Sequence, residues 1–216
     1  MPYSLTGRKV LVTGGSRGLG ALIAEKFALE DCNVVISYVE NEPRARETAA
    51  KIEGILKETG KGNGKGVGIV KGDVGIEKDC VRLVEEAIDI LGGLDIVISN
   101  AGWTKFSTFG DLYALSEDDW DKGVAAGGSS MPYSVTKAAG LHLMKCLAST
   151  QGSKIRINSI LPGLLNTEWG NKYTPEQQKK YKEQAILKQE SILEDVADAF
   201  IATAKNTSMT GQKVQV

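Results

Sequence analysis

The chain has 216 residues, of which 42% are hydrophobic and 25% charged. Its 26 basic and 27 acidic residues leave a formal net charge of −1 and are interspersed along the sequence. That size supports one large domain with a sizeable core, and the balanced charge argues against nucleic acid or a membrane surface as partner.

The opening MPYSLTGRKVLVTGG lacks a long apolar run, so neither a secretory signal nor a membrane span is expected. KVLVT (9–13) is a short continuous apolar run, as in a strand buried on both faces. GLGALIAEKFALE (18–30) places Leu19, Ile23, Phe27 and Leu29 near helical spacing. NVVISY (33–38) is a second strand, rich in β-branched residues. EPRARETAAKIEGILKETG (42–60) is a helix, with Pro43 in its first turn and Gly60 after its end. GKGNGKG (60–66) lacks phosphate-loop spacing and reads as a solvated connection. A third strand (66–74), a third helix (77–92) and a fourth strand, LDIVISNAG (94–102), which ends in a polar, small-residue turn, follow.

Strands alternating with helices imply a parallel sheet with right-handed crossovers on both faces. The expected architecture is one α/β domain over residues 1–216, a three-layer, doubly wound sheet of Rossmann type. Beyond residue 102 the rhythm breaks. DLYALSEDDWDKG (111–123) starts as a polar helix and VAAGGSSMP (124–132) is loop-like. YSVTKAAGLHLMKCLAST (133–150) is a long amphipathic helix, followed by a strand and turn (154–163). Two helices (174–184 and 192–204) and a last short strand (212–216) complete the chain. Cys32, Cys80 and Cys146 are far apart without CxxC spacing and read as reduced thiols, buried or on helices, of a cytoplasmic protein. With the single His142 they make no metal site of ordinary geometry, so no metal is expected.

TGGSRGLG (13–20) joins the first strand to the first helix, and that context gives the glycines their meaning. Gly14 permits the turn, Gly18 lets backbone approach a pyrophosphate, and Gly20 allows close helix–strand packing. The helix N-terminus, reached through Ser16, Arg17 and Leu19, offers unpaired N–H groups to phosphates. An NAD-preferring site carries an acid about 20 residues on, but Ser37 and Tyr38 occupy that place. Arg17 can instead meet a 2′-phosphate, which favours NADP(H). Arg44 and Arg46 either assist or are solvated helix-face charges.

These residues resemble the short-chain dehydrogenase/reductase family. TGGSRGLG is similar to its TGxxxGxG cofactor motif, SNAG (99–102) to its NNAG motif, YSVTK (133–137) to its YxxxK motif and PGLLNT (162–167) to its PGxxxT turn. Four ordered motifs span most of the chain. Tyr133 and Lys137, at i and i+4, project from one helix face. A free phenol with a pKa of about 10 exchanges protons poorly at neutral pH, and a nearby ammonium is expected to lower that value. In ketone reduction Tyr133 then donates the proton, and the resemblance implies that Lys137 also binds the nicotinamide ribose. The resemblance further implies that Asp73 and Val74, ending the third strand, contact adenine. It places Asn100, Ala101 and Gly102 along the cofactor, although Asn100 reads equally as a turn residue. Pro162, Gly163, Leu165 and Thr167 would meet the carboxamide and phosphates.

The chain departs from the family in the middle. The family's catalytic Ser stands about a dozen residues before the Tyr, which here falls near Trp120 and Asp121; Ser129 and Ser130 lie too close to Tyr133 to be its obvious equivalents. The family's helix Asn has no counterpart, since no Asn occurs between Asn100 and Asn158. A helix-plus-strand unit of roughly 30 residues is missing on the usual size of such elements. Deleting a central strand from a finished sheet strands ladder hydrogen bonds and costs far more than a net stability of ~5–15 kcal/mol. Either the natural chain carries the unit and these 216 residues omit it, which the energetic argument favours, or this is a shortened form whose sheet has closed up.

The expected function is hydride transfer between NADPH and a small-molecule carbonyl or alcohol. The alternative is an NADP(H)-binding protein without turnover, and a third reading is a remnant that binds nothing. Trp103, Phe106, Phe109, Trp169 and Tyr173 are expected near the pocket, either lining it for an apolar substrate or anchoring their loops. By resemblance, a homodimer or homotetramer is expected.

Overall fold

The computed structural model describes residues 3–59, 66–102, 116 and 131–216. The elements in order are β1 (Lys9–Val12), α1 (Gly18–Leu29), β2 (Asn33–Tyr38), α2 (Glu42–Glu58), β3 (Val67–Lys71), α3 (Glu77–Leu91) and β4 (Ile96–Ile98). After them come α4 (Met131–Gln151), β5 (Ser159–Leu161), a 3-10 turn (Gly170–Lys172), α5 (Pro175–Gln184), α6 (Leu193–Lys205) and β6 (Lys213–Gln215).

Local chemistry sets several of these boundaries. The Asn41 carboxamide oxygen accepts from the Arg44 N–H and starts α2, with Pro43 in the first turn. Gly92 ends α3 in the left-handed conformation, and the Lys9 ammonium donates to its carbonyl at 2.6 Å. Thr174 and Gln177 form a reciprocal capping box at α5. At the far end of α6, the Arg156 guanidinium donates to the carbonyls of Thr203, Ala204 and Asn206, where the helix dipole is negative.

The first four strands form one parallel sheet in the order β3-β2-β1-β4, built by crossover helices. Alternate residues of β1 and β2 face opposite layers. Val10, Val12, Val34 and Ile36 pack with Ile23, Phe27, Ile52 and Ala197 from α1, α2 and α6. Leu11, Val35 and Val70 pack on the other side with Leu83, Ala87 and Leu91 of α3. Each fully buried Val, Leu, Ile or Phe among these contributes about 1.5–3 kcal/mol of transfer free energy. Leu29, read as part of the α1 stripe, is exposed; it falls off the face that Ile23 and Phe27 bury.

The single sheet expected from the sequence is divided. β5 and β6 form a separate parallel pair, and among the described residues no strand pairs with the outer edge of β4. Val97 of β4 is 52% exposed, and Val135, Leu143 and Leu147 of α4 are also open. The two parts are held together by α6 lying along α1, with ion pairs Lys26–Asp198 (2.7 Å) and Lys205–Glu30 (2.5 Å). Residues 111–115 and 117–130, with their expected helix, loop and Ser129 and Ser130, lie outside the described residues, as do Trp103, Phe106 and Phe109.

Candidate active site

In the turn after β1, Gly14 and Gly20 do what their places suggest. Gly14 has φ 63°, and a Cβ there would stand 3.0 Å from the Ala101 Cα. A Cβ at Gly20 would collide with the Gly14 carbonyl and stand 2.5 Å from Asn100 Nδ2. Gly18, with φ 54°, faces Thr167, at 3.8 Å the one neighbour within 4 Å of its notional Cβ among the described residues. Ser37 at the end of β2 braces the turn: its hydroxyl accepts from the Gly14 N–H at 3.2 Å and its carbonyl from Gly15 at 3.0 Å.

Asn100 is a structural bridge as well as a turn residue. Its Nδ2 donates to the Thr13 carbonyl (2.9 Å) and the Gly14 carbonyl (3.3 Å). The Thr13 hydroxyl accepts from the N–H groups of Asn100 and Ala101, both at 3.0 Å, and lies 3.3 Å from the Ile98 carbonyl, to which it donates. The turn 99–102 after β4 is thus fastened to the glycine turn; β4 ends at Ile98, ahead of the polar, small-residue turn expected there. Asp73 and Val74 also lie past their strand, which ends at Lys71. The Asp73 carboxylate accepts from the Gly75 N–H, and the Asp73 N–H donates to the Asp79 carboxylate in the first turn of α3.

The rim of the glycine turn is strongly charged. Arg17 pairs with Glu168 at 2.9 Å, and Arg44 reaches both carboxylate oxygens of Glu168, one of them at 2.9 Å. The Arg44 hydrogen bonds, with the charges of Arg44 and Arg17, hold the Glu168 carboxyl at about 2. Arg44 therefore acts in a cluster, whereas Arg46 pairs with Glu42 one turn away on α2. Glu42 also hydrogen-bonds the Tyr38 phenol, whose pKa is raised chiefly by desolvation.

Tyr133 and Lys137 share one face of α4, with the ammonium 5.3 Å from the Tyr133 ring centroid. The expected lowering of the phenol does not follow. Burial, and secondarily the neighbouring Tyr173, raises the Tyr133 pKa, because the ammonium lies over the ring and does not pair with the hydroxyl. Lys137 is exposed overall, yet desolvation about its ammonium lowers its own pKa.

The segment after β5 runs between these two places. Gly163 donates to the Ser191 hydroxyl and the Val216 carbonyl, and Leu165 bridges to Ser191. Thr167 turns its methyl side toward Gly18, while its hydroxyl accepts from the Gly170 N–H at 3.3 Å. Tyr173 stacks edge-on with Tyr181 at 5.2 Å and influences Tyr133.

A family profile described as short chain dehydrogenase matches residues 8–126, more than half of the chain. The chain belongs to the short-chain dehydrogenase/reductase family. A second profile of this group, described as enoyl-(acyl carrier protein) reductase, matches residues 123–216. Among family relatives, the chain is 27% identical over 243 residues to the granaticin polyketide synthase putative ketoacyl reductase 2 of Streptomyces violaceoruber, covering 95% of this chain and 93% of that one. It is 28% identical over 257 residues to glucose 1-dehydrogenase of Gluconobacter oxydans, covering all of this chain and 93% of the relative. In fold it is similar to a short chain dehydrogenase from Burkholderia cenocepacia crystallised with NADP, with TM-score 0.82 and 24% identity over 99% of this chain and 98% of that one. The family is one of oxidoreductases, named for dehydrogenation and reduction.

Two contributors were not visible as site residues beforehand. Thr13 could have been suspected from its place at the head of the glycine turn. Glu168 follows Thr167 directly, but its partners are 151 and 124 residues away, and only the fold brings them together.

Proposed function

We propose that the chain is an NADP(H)-dependent oxidoreductase acting on a carbonyl or alcohol, with Tyr133 as its proton-transfer group. The observation that carries this reading is the segment 162–173. It meets the glycine turn through Thr167, the arginine pair through Glu168 and the Tyr133 surroundings through Tyr173. Gly14, Ser16, Gly18, Leu19 and Gly20 would hold the pyrophosphate, and Asp73 and Val74 the adenine. Asn100, Ala101, Gly102, Pro162, Gly163, Leu165 and Thr167 would line the remainder. The two arginines, already engaged with an anionic carboxylate, fit a cofactor with an extra phosphate, and Ser37 and Tyr38 offer no carboxylate to ribose hydroxyls.

When bound, the nicotinamide cofactor supplies or accepts the hydride. Tyr133, raised by burial, stays protonated at neutral pH and is poised to give its proton to a substrate oxygen, which favours reduction. Lys137 holds a cation beside that ring and would orient the ribose. Tyr133→Phe is expected to lower turnover by roughly 10²–10⁴-fold while leaving NADPH binding intact. Unchanged turnover would show that another group carries the proton.

A second reading, NADPH binding without turnover, draws on the divided sheet. The glucose 1-dehydrogenase comparison runs over 257 positions where this chain supplies 216 residues, a difference of 41. The two family profiles meet at residues 123–126, and β4 and β5 are not hydrogen-bonded to each other. These observations support a helix-plus-strand unit missing before Tyr133, together with its catalytic Ser and Asn. This reading expects NADPH binding by fluorescence titration and no NADPH oxidation across a panel of ketones. An intact mass near 23.1 kDa would identify the purified protein as the short form, and one several kilodaltons higher would identify omission.

A further inference from the structure

The Arg17–Glu168–Arg44 cluster joins three separate segments, the glycine turn, the first turn of α2 and the segment after β5. A glycine turn with two arginines at its rim needs no internal acid. The acid nevertheless sits between them, taking the hydrogen-bond directions of the Arg44 fork and sharing one oxygen with Arg17. All three side chains reach solvent, at 60%, 38% and 53% exposure for Arg17, Arg44 and Glu168, so a dissolved anion has access to the same donors. Glu168 is also the residue after Thr167, which rests against Gly18. Its position is therefore coupled to the segment that continues to Trp169 and Tyr173.

We propose that Glu168 is an internal competitor for the cofactor's 2′-phosphate, a specificity-determining carboxylate that the phosphate displaces from Arg17 and Arg44. The proposal rests on the NADP(H) reading given above. A phosphate monoester carries more charge than a carboxylate and has three acceptor oxygens, so it can bond both guanidinium forks at once. Displacement exchanges one set of charge-assisted hydrogen bonds for another. Discrimination by the arginine pair is consequently smaller in the native chain than it would be without the acid, and phosphate binding frees the 167–173 segment from the rim. Ionisation of Glu168 down to about pH 2 keeps the competition in force throughout the neutral range.

The test uses 2′,5′-ADP and 5′-AMP, which differ only in the 2′-phosphate, and calorimetric titration of the full chain. Glu168→Gln is expected to tighten 2′,5′-ADP by about three- to tenfold, the scale of an exposed ion-pair network, and to leave 5′-AMP unchanged. Arg44→Gln should remove most of the discrimination between the two ligands. Trypsin cleavage at Lys172, Lys179 and Lys180 should quicken when 2′,5′-ADP is added and not when 5′-AMP is added. If the native chain prefers 2′,5′-ADP but Glu168→Gln leaves its affinity unchanged or weakens it, the competitor role is overturned and the NADP(H) reading survives. If the native chain binds both ligands equally, or neither, the NADP(H) reading falls and the competitor role with it. Glu168→Asp, with the charge drawn back by one methylene, should fall between Glu and Gln; tightening equal to Gln would assign the effect to loop geometry and overturn competition.

Discussion

Replacing Thr13 by Val deletes one hydroxyl at nearly constant shape. Thr13 is 8% exposed, and its oxygen accepts from the N–H groups of Asn100 and Ala101 while donating to the Ile98 carbonyl. The substitution leaves the Ala101 N–H without its acceptor, while the Asn100 N–H keeps the Ile98 carbonyl at 3.0 Å. A fully buried orphan would cost about 1–3 kcal/mol. This donor is only partly buried, and water recovers some of that loss, so the net destabilisation is expected at about 1 kcal/mol. For a chain of this size that corresponds to a Tm lower by roughly 2–4 °C, and to a urea midpoint lower by about 0.5 M at a slope near 2 kcal/mol/M. Thr13→Ser keeps the hydroxyl and should lose less than half as much. Urea unfolding of the two variants in parallel makes the measurement. A Val variant within about 0.3 kcal/mol of the native chain, or equal to the Ser variant, would refute the idea that this hydroxyl fastens the two turns together.

Phe27 is fully buried between the sheet and the helices of its layer, so Phe27→Ala should cost about 3–5 kcal/mol in the same assay. Glu168 titrates at about 2 in the fold against 4.5 for an ordinary glutamate, chiefly through Arg44. Its depressed value means that the ion cluster stabilises fully above about pH 4.5 and fades as pH falls toward 2, so the Tm gap between the native chain and Glu168→Gln should narrow over that interval. The Cys32 thiol is pushed up to about 12 by burial and then by Glu30, Asp31 and Asp95, and it donates to the Leu5 carbonyl. A neutral-pH thiol reagent should therefore modify the exposed Cys146 in the folded protein and reach Cys32 only on unfolding, as mass spectrometry of labelled peptides would show.

What the sequence made legible follows from range. The apolar runs of β1 and β2, the turn at Gly14 and the close packing at Gly20 are local signals, and the fold uses them as expected. SNAG reads as the polar turn that ends β4, but the motif does not show that Asn100 bonds back to Thr13 and Gly14, 87 and 86 residues away. The i, i+4 spacing put Tyr133 and Lys137 on one face but could not say which atoms meet. An ammonium over a ring and an ammonium beside a phenol oxygen have the same spacing and different effects on the proton. Glu168 carried no local mark at all. Its role depends on a contact between distant segments, as does the division of the sheet.

That division bears on cooperativity. Opening the chain between β4 and β5 breaks no strand-to-strand hydrogen bond among the described residues. It must disrupt the α1–α6 packing and its ion pairs, which are side-chain contacts. Amide protons of β1 and β2 are therefore expected to exchange only by global unfolding. Those of β5 and β6 have a cheaper route, and the carboxy-terminal part would behave as a separate exchange unit. The Arg17–Glu168–Arg44 cluster also spans the two parts, so an anion that releases Glu168 would loosen the slower-protected half from the faster one.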